Sequence, residues 1–264
     1  MRNLILLGAL LGLLPASFAA SAAESSEAVD ILKAVHQRDR GKDLTWDLTI
    51  DLIDRGGDTR QRTGKIYRRT LSERSEQVTV FTGPANIRHT ALLHIEPEDK
   101  NDYMWLYLPA LKVTKRIPPA ERGDKFVGTD FTMEDINLGF KYGDYVGEVQ
   151  QHSNEEGHPV ALMRIEPKTP ELKHDLGFDY QLVKVRTDQA IMVDQRLFKG
   201  DREIRHNRAN DIRLVDGIVT SMELSSDDLV NEHKTVLKVR KATYNSDIPS
   251  EFFTQEALAR EIYR

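Results

Sequence analysis

Leu44-Thr45-Trp46-Asp47-Leu48-Thr49-Ile50-Asp51-Leu52 alternates apolar and polar side chains without a break. Successive side chains of an extended chain point to opposite faces, so this period of two describes a strand with one covered face and one wetted face. Asp47, Thr49 and Asp51 need water, which leaves Trp46, Leu48, Ile50 and Leu52 for the covered side. Asp54-Arg55-Gly56-Gly57-Asp58 then supplies turn residues, and the polar stretch from Thr59 to Arg69 returns as the second arm of a hairpin.

The same rhythm predicts strands at 77–82, 87–95, 103–108, 112–117, 145–152 and 159–166, and again at 180–186, 191–198, 203–214, 218–224 and 234–243. Turn chemistry separates them, as in Lys199-Gly200-Asp201 and Val215-Asp216-Gly217. Strands this numerous and closely spaced point to a mainly β chain built as one large antiparallel sheet. A twisted sheet of ten or more strands curls, so an incomplete β-barrel is the expected architecture.

Three segments break the rhythm. Ala28, Ile31, Leu32 and Val35 have helical spacing, with Ser25 or Ser26 as N-cap and Gly41 just past the end. Residues 118–142 hold several glycines and one expected short helix, whose start is written as a capping box, Thr132-x-x-Asp135, with Phe131 and Ile136 as its hydrophobic staple. Near the end, Ser250 is expected to cap a terminal helix carrying Glu256, Leu258 and Ile262.

Residues 1–23 combine a basic start at Arg2, an apolar run from Leu4 to Leu14, and small residues up to Ala23. These are the proportions of a secretory signal peptide, and the run is short for a bilayer span. The expected mature chain, residues 24–264, is a single domain exported to the periplasm of a Gram-negative bacterium. No cysteine is available for lipidation or a disulfide, and a net charge of −5 does not suit a nucleic-acid partner.

No nucleophile elbow, phosphate-binding loop, dinucleotide fingerprint or paired-histidine zinc motif occurs, so the chain reads as a binding protein rather than an enzyme, with no catalytic residue, cofactor or metal assigned. His89 and His94 are an odd number of residues apart on an expected strand and would face opposite ways, which disfavours a shared metal. Tyr103-Met104-Trp105-Leu106-Tyr107-Leu108 has an aromatic face and an aliphatic face, and both need cover. Either could line a cavity; the aromatic face, with Trp105 and Tyr107, is the expected one because its polar tips suit a mouth between acyl chain and water. Arg60, Arg62, Lys65, Arg68, Arg69 and Arg74 crowd the second hairpin arm, which reads first as a protected edge strand and second as a docking surface for an acidic partner or anionic lipid head groups.

Trp105-Leu106-Tyr107-Leu108-Pro109, Lys115-Arg116, the string Phe126-Val127-Gly128-Thr129-Asp130-Phe131-Thr132-x-Glu134-Asp135, and Asp247-Ile248-Pro249-x-x-Phe252-Phe253-Thr254 together resemble the longer LolA-like branch of outer-membrane lipoprotein-sorting proteins. The resemblance covers most of the mature chain. It implies an incomplete barrel with helices as a lid over an apolar cavity that holds the acyl chains of a lipid or lipoprotein, and an inner-membrane exporter of the RND type as a partner. The lid-locking arginine of the shorter carrier has no assignable counterpart here. Trp46, Leu48, Ile50, Leu52, Trp105, Tyr107, Phe131 and Ile136 are the expected cavity residues; Gly128, Thr129, Asp130, Thr132 and Asp135 are expected to shape and cap the lid. The implied function is transport or sorting of acylated cargo between envelope membranes. A periplasmic sensor using the same fold to bind a lipid or envelope protein is the alternative, and an enzyme of envelope lipid or glycan stands third.

Overall fold

The computed structural model describes residues 25–72, 74–97, 102–260 and 262–263. The expected signal peptide lies outside them. All of the strands anticipated from the alternating pattern are present: β1 (Asp43–Ile53), β2 (Thr59–Thr70), β3 (Arg74–Gly83), β4 (Ala91–Pro97), β5 (Tyr103–Leu108), β6 (Val113–Ile117), β7 (Tyr145–Glu155), β8 (His158–Pro167), β9 (Tyr180–Arg186), β10 (Ile191–Lys199), β11 (Arg202–Val215), β12 (Ile218–Asp228) and β13 (His233–Tyr244). They form one 13-stranded antiparallel sheet in the order β6-β5-β4-β3-β2-β1-β13-β12-β11-β10-β9-β8-β7. Tight hairpins set several registers: Glu156 and Gly157 (φ 54° and 85°) and Asp216 and Gly217 (φ 52° and 81°) occupy the left-handed pair of positions that a two-residue turn between right-twisted strands requires.

Every sheet neighbour is a sequence neighbour except β1 and β13. That one pairing puts the first and last strands in the middle and leaves β6 and β7 at opposite edges. The two edge strands are consecutive in the chain, so residues 118–144 must cross from one edge to the other. A flat sheet of this many strands would be roughly 58 Å wide at about 4.8 Å per step. The crossing segment is compacted into turns and three short 3-10 helices, and it connects the edges because the sheet curls into an unclosed barrel.

Three apolar clusters hold the sheet. On the inner face, Trp46, Leu48 and Ile50 of β1 pack with Ile66, Phe81, Leu92, Met104 and Leu237, under Phe126, Phe131, Met133 and Ile136 of the crossing segment. Farther along the same face, Met163 and Ile165 of β8, Val183 and Val185 of β9 and Leu197 of β10 pack under helix α1 (Ser26–Gln37) and helix α2 (Pro170–Leu176). Helix α1 begins as the sequence indicates: the Ala28 N–H donates to Ser25 Oγ at 3.1 Å, and Ala28, Leu32 and Val35 are buried. Helix α2 was not anticipated, although Thr169 as N-cap, Pro170 at the first position and left-handed Gly177 after the last mark its limits. The third cluster lies on the outer face, where Tyr67, Val78, Val80, Leu93, Trp105 and Tyr107 pack against Phe253, Ala257 and Leu258 of the C-terminal segment.

The structure corrects three readings. The basic arm β2 is no edge strand, since β1 and β3 flank it. Thr132–Asp135 opens a single turn, not a helix. The terminal helix α3 (Gln255–Arg260) is capped by Thr254, whose Oγ1 accepts the Ala257 N–H at 3.1 Å; Ser250 instead starts a 3-10 turn.

Candidate functional site

The inner-face clusters do not merge. At their seam lies a cleft of about 210 Å³, floored by β9 to β12 and roofed by the crossing segment. Trp46, Phe131, Leu138 and Leu224 approach it from one cluster; Val35, Phe140, Tyr145, Phe178 and Leu197 approach from the other. Its wall is amphiphilic. Trp46 Nε1, Gln181 Oε1, Arg205 Nε and Asn207 Oδ1 are buried without a hydrogen-bond partner among the described residues, and all four residues line the cleft. A buried polar atom without a partner costs roughly 1–3 kcal/mol, so a concentration of them along one opening marks where an outside group would bond.

The crossing segment is fastened by its own polar residues. Gly128 (φ 72°) and Val127 (φ 47°) turn the chain, and Arg62 donates to the Val127 carbonyl at 2.5 Å, holding a β-branched residue in a backbone region it rarely visits. Asp130 is 1% exposed. Its carboxylate accepts from Thr235 Oγ1 at 2.8 Å and from Lys125 Nζ at 2.8 Å, and His233 Nδ1 stands 2.5 Å away. Lys125 also reaches Asp228 at 2.5 Å. Burial pushes the Asp228 carboxyl up, but hydrogen bonds from Lys125 and Asn231 outweigh it and hold the group well below the usual carboxylate range.

The capping box forms as written, with the Asp135 N–H donating to Thr132 Oγ1 at 3.0 Å and the Thr132 N–H donating to an Asp135 carboxylate oxygen at 2.8 Å. Asp135 then does something local reading could not show: it receives Arg205 at 3.1 Å and Asn207 Nδ2 at 3.3 Å, tying the turn to β11. Gln77 of β3 completes the attachment by donating to the Ile136 carbonyl at 2.8 Å and accepting the Leu138 N–H at 3.1 Å.

Of the expected cavity residues, Trp46 and Phe131 line the cleft, with Thr132 and Asp135 of the lid set. Leu48, Ile50 and Ile136 belong to the sealed cluster beside it, and Leu52 is buried apart from both. Gly128, Thr129 and Asp130 anchor the segment rather than face the ligand space. On β5 the structure reverses the expected faces: Met104 and Leu106 point to the inner cluster, whereas Trp105 and Tyr107 pack outside against the C-terminal segment. The residues missed are Arg38, Arg40, Gln181, Arg205 and Asn207. Gln181 carried a signal, because it shares a strand face with apolar Val183 and Val185, where a polar residue is out of pattern.

A sequence-family model described as "Uncharacterized protein" matches residues 73–260, from β3 to α3. The chain belongs to this family. No curated protein sequence matches it. Among solved structures, a DUF1329 family protein from Desulfovibrio piger superposes with a TM-score of 0.79 at 23% identity, covering 88% of this chain and 98% of its own. A domain from Vibrio parahaemolyticus, named for outer membrane lipoprotein sorting, superposes with a TM-score of 0.81 at 18% identity, over 89% and 99% of the two chains. A LolA superfamily protein from Nitrosomonas europaea gives 0.65 at 14% identity over 89% and 99%. The chain therefore has the LolA-like fold: a mainly antiparallel, unclosed sheet with few helices.

Proposed function

We propose that the protein is a periplasmic carrier that holds an acyl chain of a lipid or acylated lipoprotein in the cleft under the crossing segment. The observation that supports this most is the seam itself: two apolar clusters on one sheet face, kept apart by a cleft whose walls carry buried polar atoms lacking partners. Carrying needs water-facing walls, an apolar interior and a cover, and it needs no reactive group. Similarity to a protein named for lipoprotein sorting and to a LolA superfamily member supports the same class of cargo, as an argument from fold. An inner-membrane exporter of the RND type is the partner that the sequence resemblance suggests.

The two tryptophans make the test direct, because Trp46 lines the cleft and Trp105 lies on the outer face. In a Trp105→Phe variant, a lysolipid or long-chain fatty acid added to delipidated protein should shift or quench the Trp46 emission saturably. Affinity should rise with chain length by up to about 0.8 kcal/mol per methylene buried, and a short-chain carboxylate should do little. An emission indifferent to chain length, together with protein that carries no lipid when purified, would sink the carrier reading and favour a sensor of envelope proteins.

A further inference from the structure

A second cavity of about 430 Å³ adjoins the cleft, and Arg38, Arg40, Phe140 and Lys141 line both. Arg68 and Glu96 lie in the second cavity. The first two arginines follow helix α1 and the third comes from the inner face of β2. Arg40 donates to the carbonyls of His36 at 2.7 Å and Val35 at 3.0 Å, in the last turn of α1, and its Nε is buried without a partner among the described residues. Arg38 donates to the Val219 carbonyl at 2.9 Å. Arg68 donates to Asn137 Oδ1 at 3.1 Å, and its Nε is likewise buried and unpartnered among the described residues.

Against these three guanidinium groups stands one close carboxylate among the described residues. Glu96 lies 3.8 Å from Arg68, beyond hydrogen-bond length, and accepts from Ser75 Oγ at 3.0 Å instead. Asp39 is turned away to the Gly41 N–H at 2.8 Å. Lys141 is bonded to Asp102, and Arg74 at the rim is held by Glu76 at 2.8 Å, so neither needs a further anion. Burial pulls Arg38, Arg40 and Arg68 below the ordinary arginine range, and the charges of Arg38 and Arg68 lower Arg40 further. Buried like charges with spare, geometrically fixed donors are costly unless an anion joins them.

We infer that Arg38, Arg40 and Arg68 form a binding site for the anionic head group, phosphate or carboxylate, of an amphiphile whose apolar part lies in the adjoining cleft. The planar guanidinium fork suits both oxyanions, and the shared lining residues put the head-group cavity directly beside the cleft. This inference rests on the carrier reading and names its cargo class.

The test compares a lysophosphatidic acid with a monoacylglycerol of the same chain, and with inorganic phosphate alone, by calorimetry and Trp46 emission on the full mature chain. The anionic amphiphile should bind about tenfold or more tighter than the neutral one, the worth of one or two charged hydrogen bonds, and the preference should shrink as salt rises. Arg68→Gln should reduce that preference while leaving the neutral ligand's affinity unchanged; Arg38 and Arg40 are left in place because both also line the acyl cleft. The wild-type comparison needs no variant to fold. Equal affinity for the two amphiphiles would overturn the head-group site and leave the carrier reading standing. Binding of neither amphiphile would overturn the carrier reading, and binding of inorganic phosphate alone would reassign the arginines to a free anion.

Discussion

Asp130 shows what a single residue contributes that its neighbours in sequence cannot reveal. It sits inside the Gly128-Thr129-Asp130-Phe131-Thr132 string, whose local chemistry was legible: glycine for the left-handed turn, threonine for the cap, phenylalanine for the staple. Its partners Thr235, His233 and Lys125 come from a remote strand and from its own segment, and only the topology brings β13 to it. Asp130→Asn removes the charge from a buried set of hydrogen bonds and leaves Lys125 with one carboxylate, so it should cost about 3 kcal/mol in urea unfolding. Thr132→Ala deletes one capping bond and should cost about 1 kcal/mol by the same measurement. If Thr132→Ala weakened lysolipid binding more than it weakened folding, the turn would belong to the cover of the cleft rather than to its scaffold.

At the scale of elements, the alternating pattern located every strand because one wetted face forces a period of two. It failed on β5 for the same reason: with both faces apolar, no polar set marks the outside. The decision came from elsewhere in the chain. Phe252, Phe253 and Leu258 cover Trp105 and Tyr107, while Arg69 lies 4.9 Å over the Phe253 ring. Basic β2 reads as an edge because edge protection and burial of an arginine in an interior strand look alike in sequence; pairing with β3 and the 5% exposure of Arg68 separate them. If the outer cluster is structural and the inner seam functional, Phe253→Ala should destabilise by about 3 kcal/mol through a cavity on the outer face. Trp46 emission on adding lysolipid should stay as in the parent chain, and loss of that response at temperatures where the variant is folded would contradict the separation of faces.

For the whole molecule, ion pairs join the sheet to the crossing segment in both directions. Asp102 before β5 and Asp228 at the end of β12 hold Arg122, Lys125 and Lys141 of the segment, while Arg205 of β11 and His233 of β13 reach the segment's Asp135 and Asp130. Burial pushes the Asp102 carboxyl up, but hydrogen bonds from His94 and Lys141 outweigh it and hold it below its ordinary range, as Lys125 and Asn231 do for Asp228. Glu96 is lowered too, where the charges of Arg68 and His94 overcome its burial. A carboxyl lowered on folding stabilises fully above its unfolded value near 4, and that stabilisation is lost as pH falls below it. Asp144 runs the other way, raised by burial, so its protonation offsets part of the loss. Glu155 and Glu166 are lowered as well, and with five groups against one the urea midpoint should hold between about pH 6 and 8 and fall below about pH 4. Because Asp102 and Asp228 fasten the crossing segment, amide exchange in residues 118–144 should accelerate on acidification before exchange in β1 and β13 does. Asp228→Asn should lower the neutral-pH midpoint and flatten the acid decline. A midpoint unchanged from pH 7 to pH 3, or exchange that rises uniformly across sheet and segment, would show that these ion pairs do not hold the cover on the sheet.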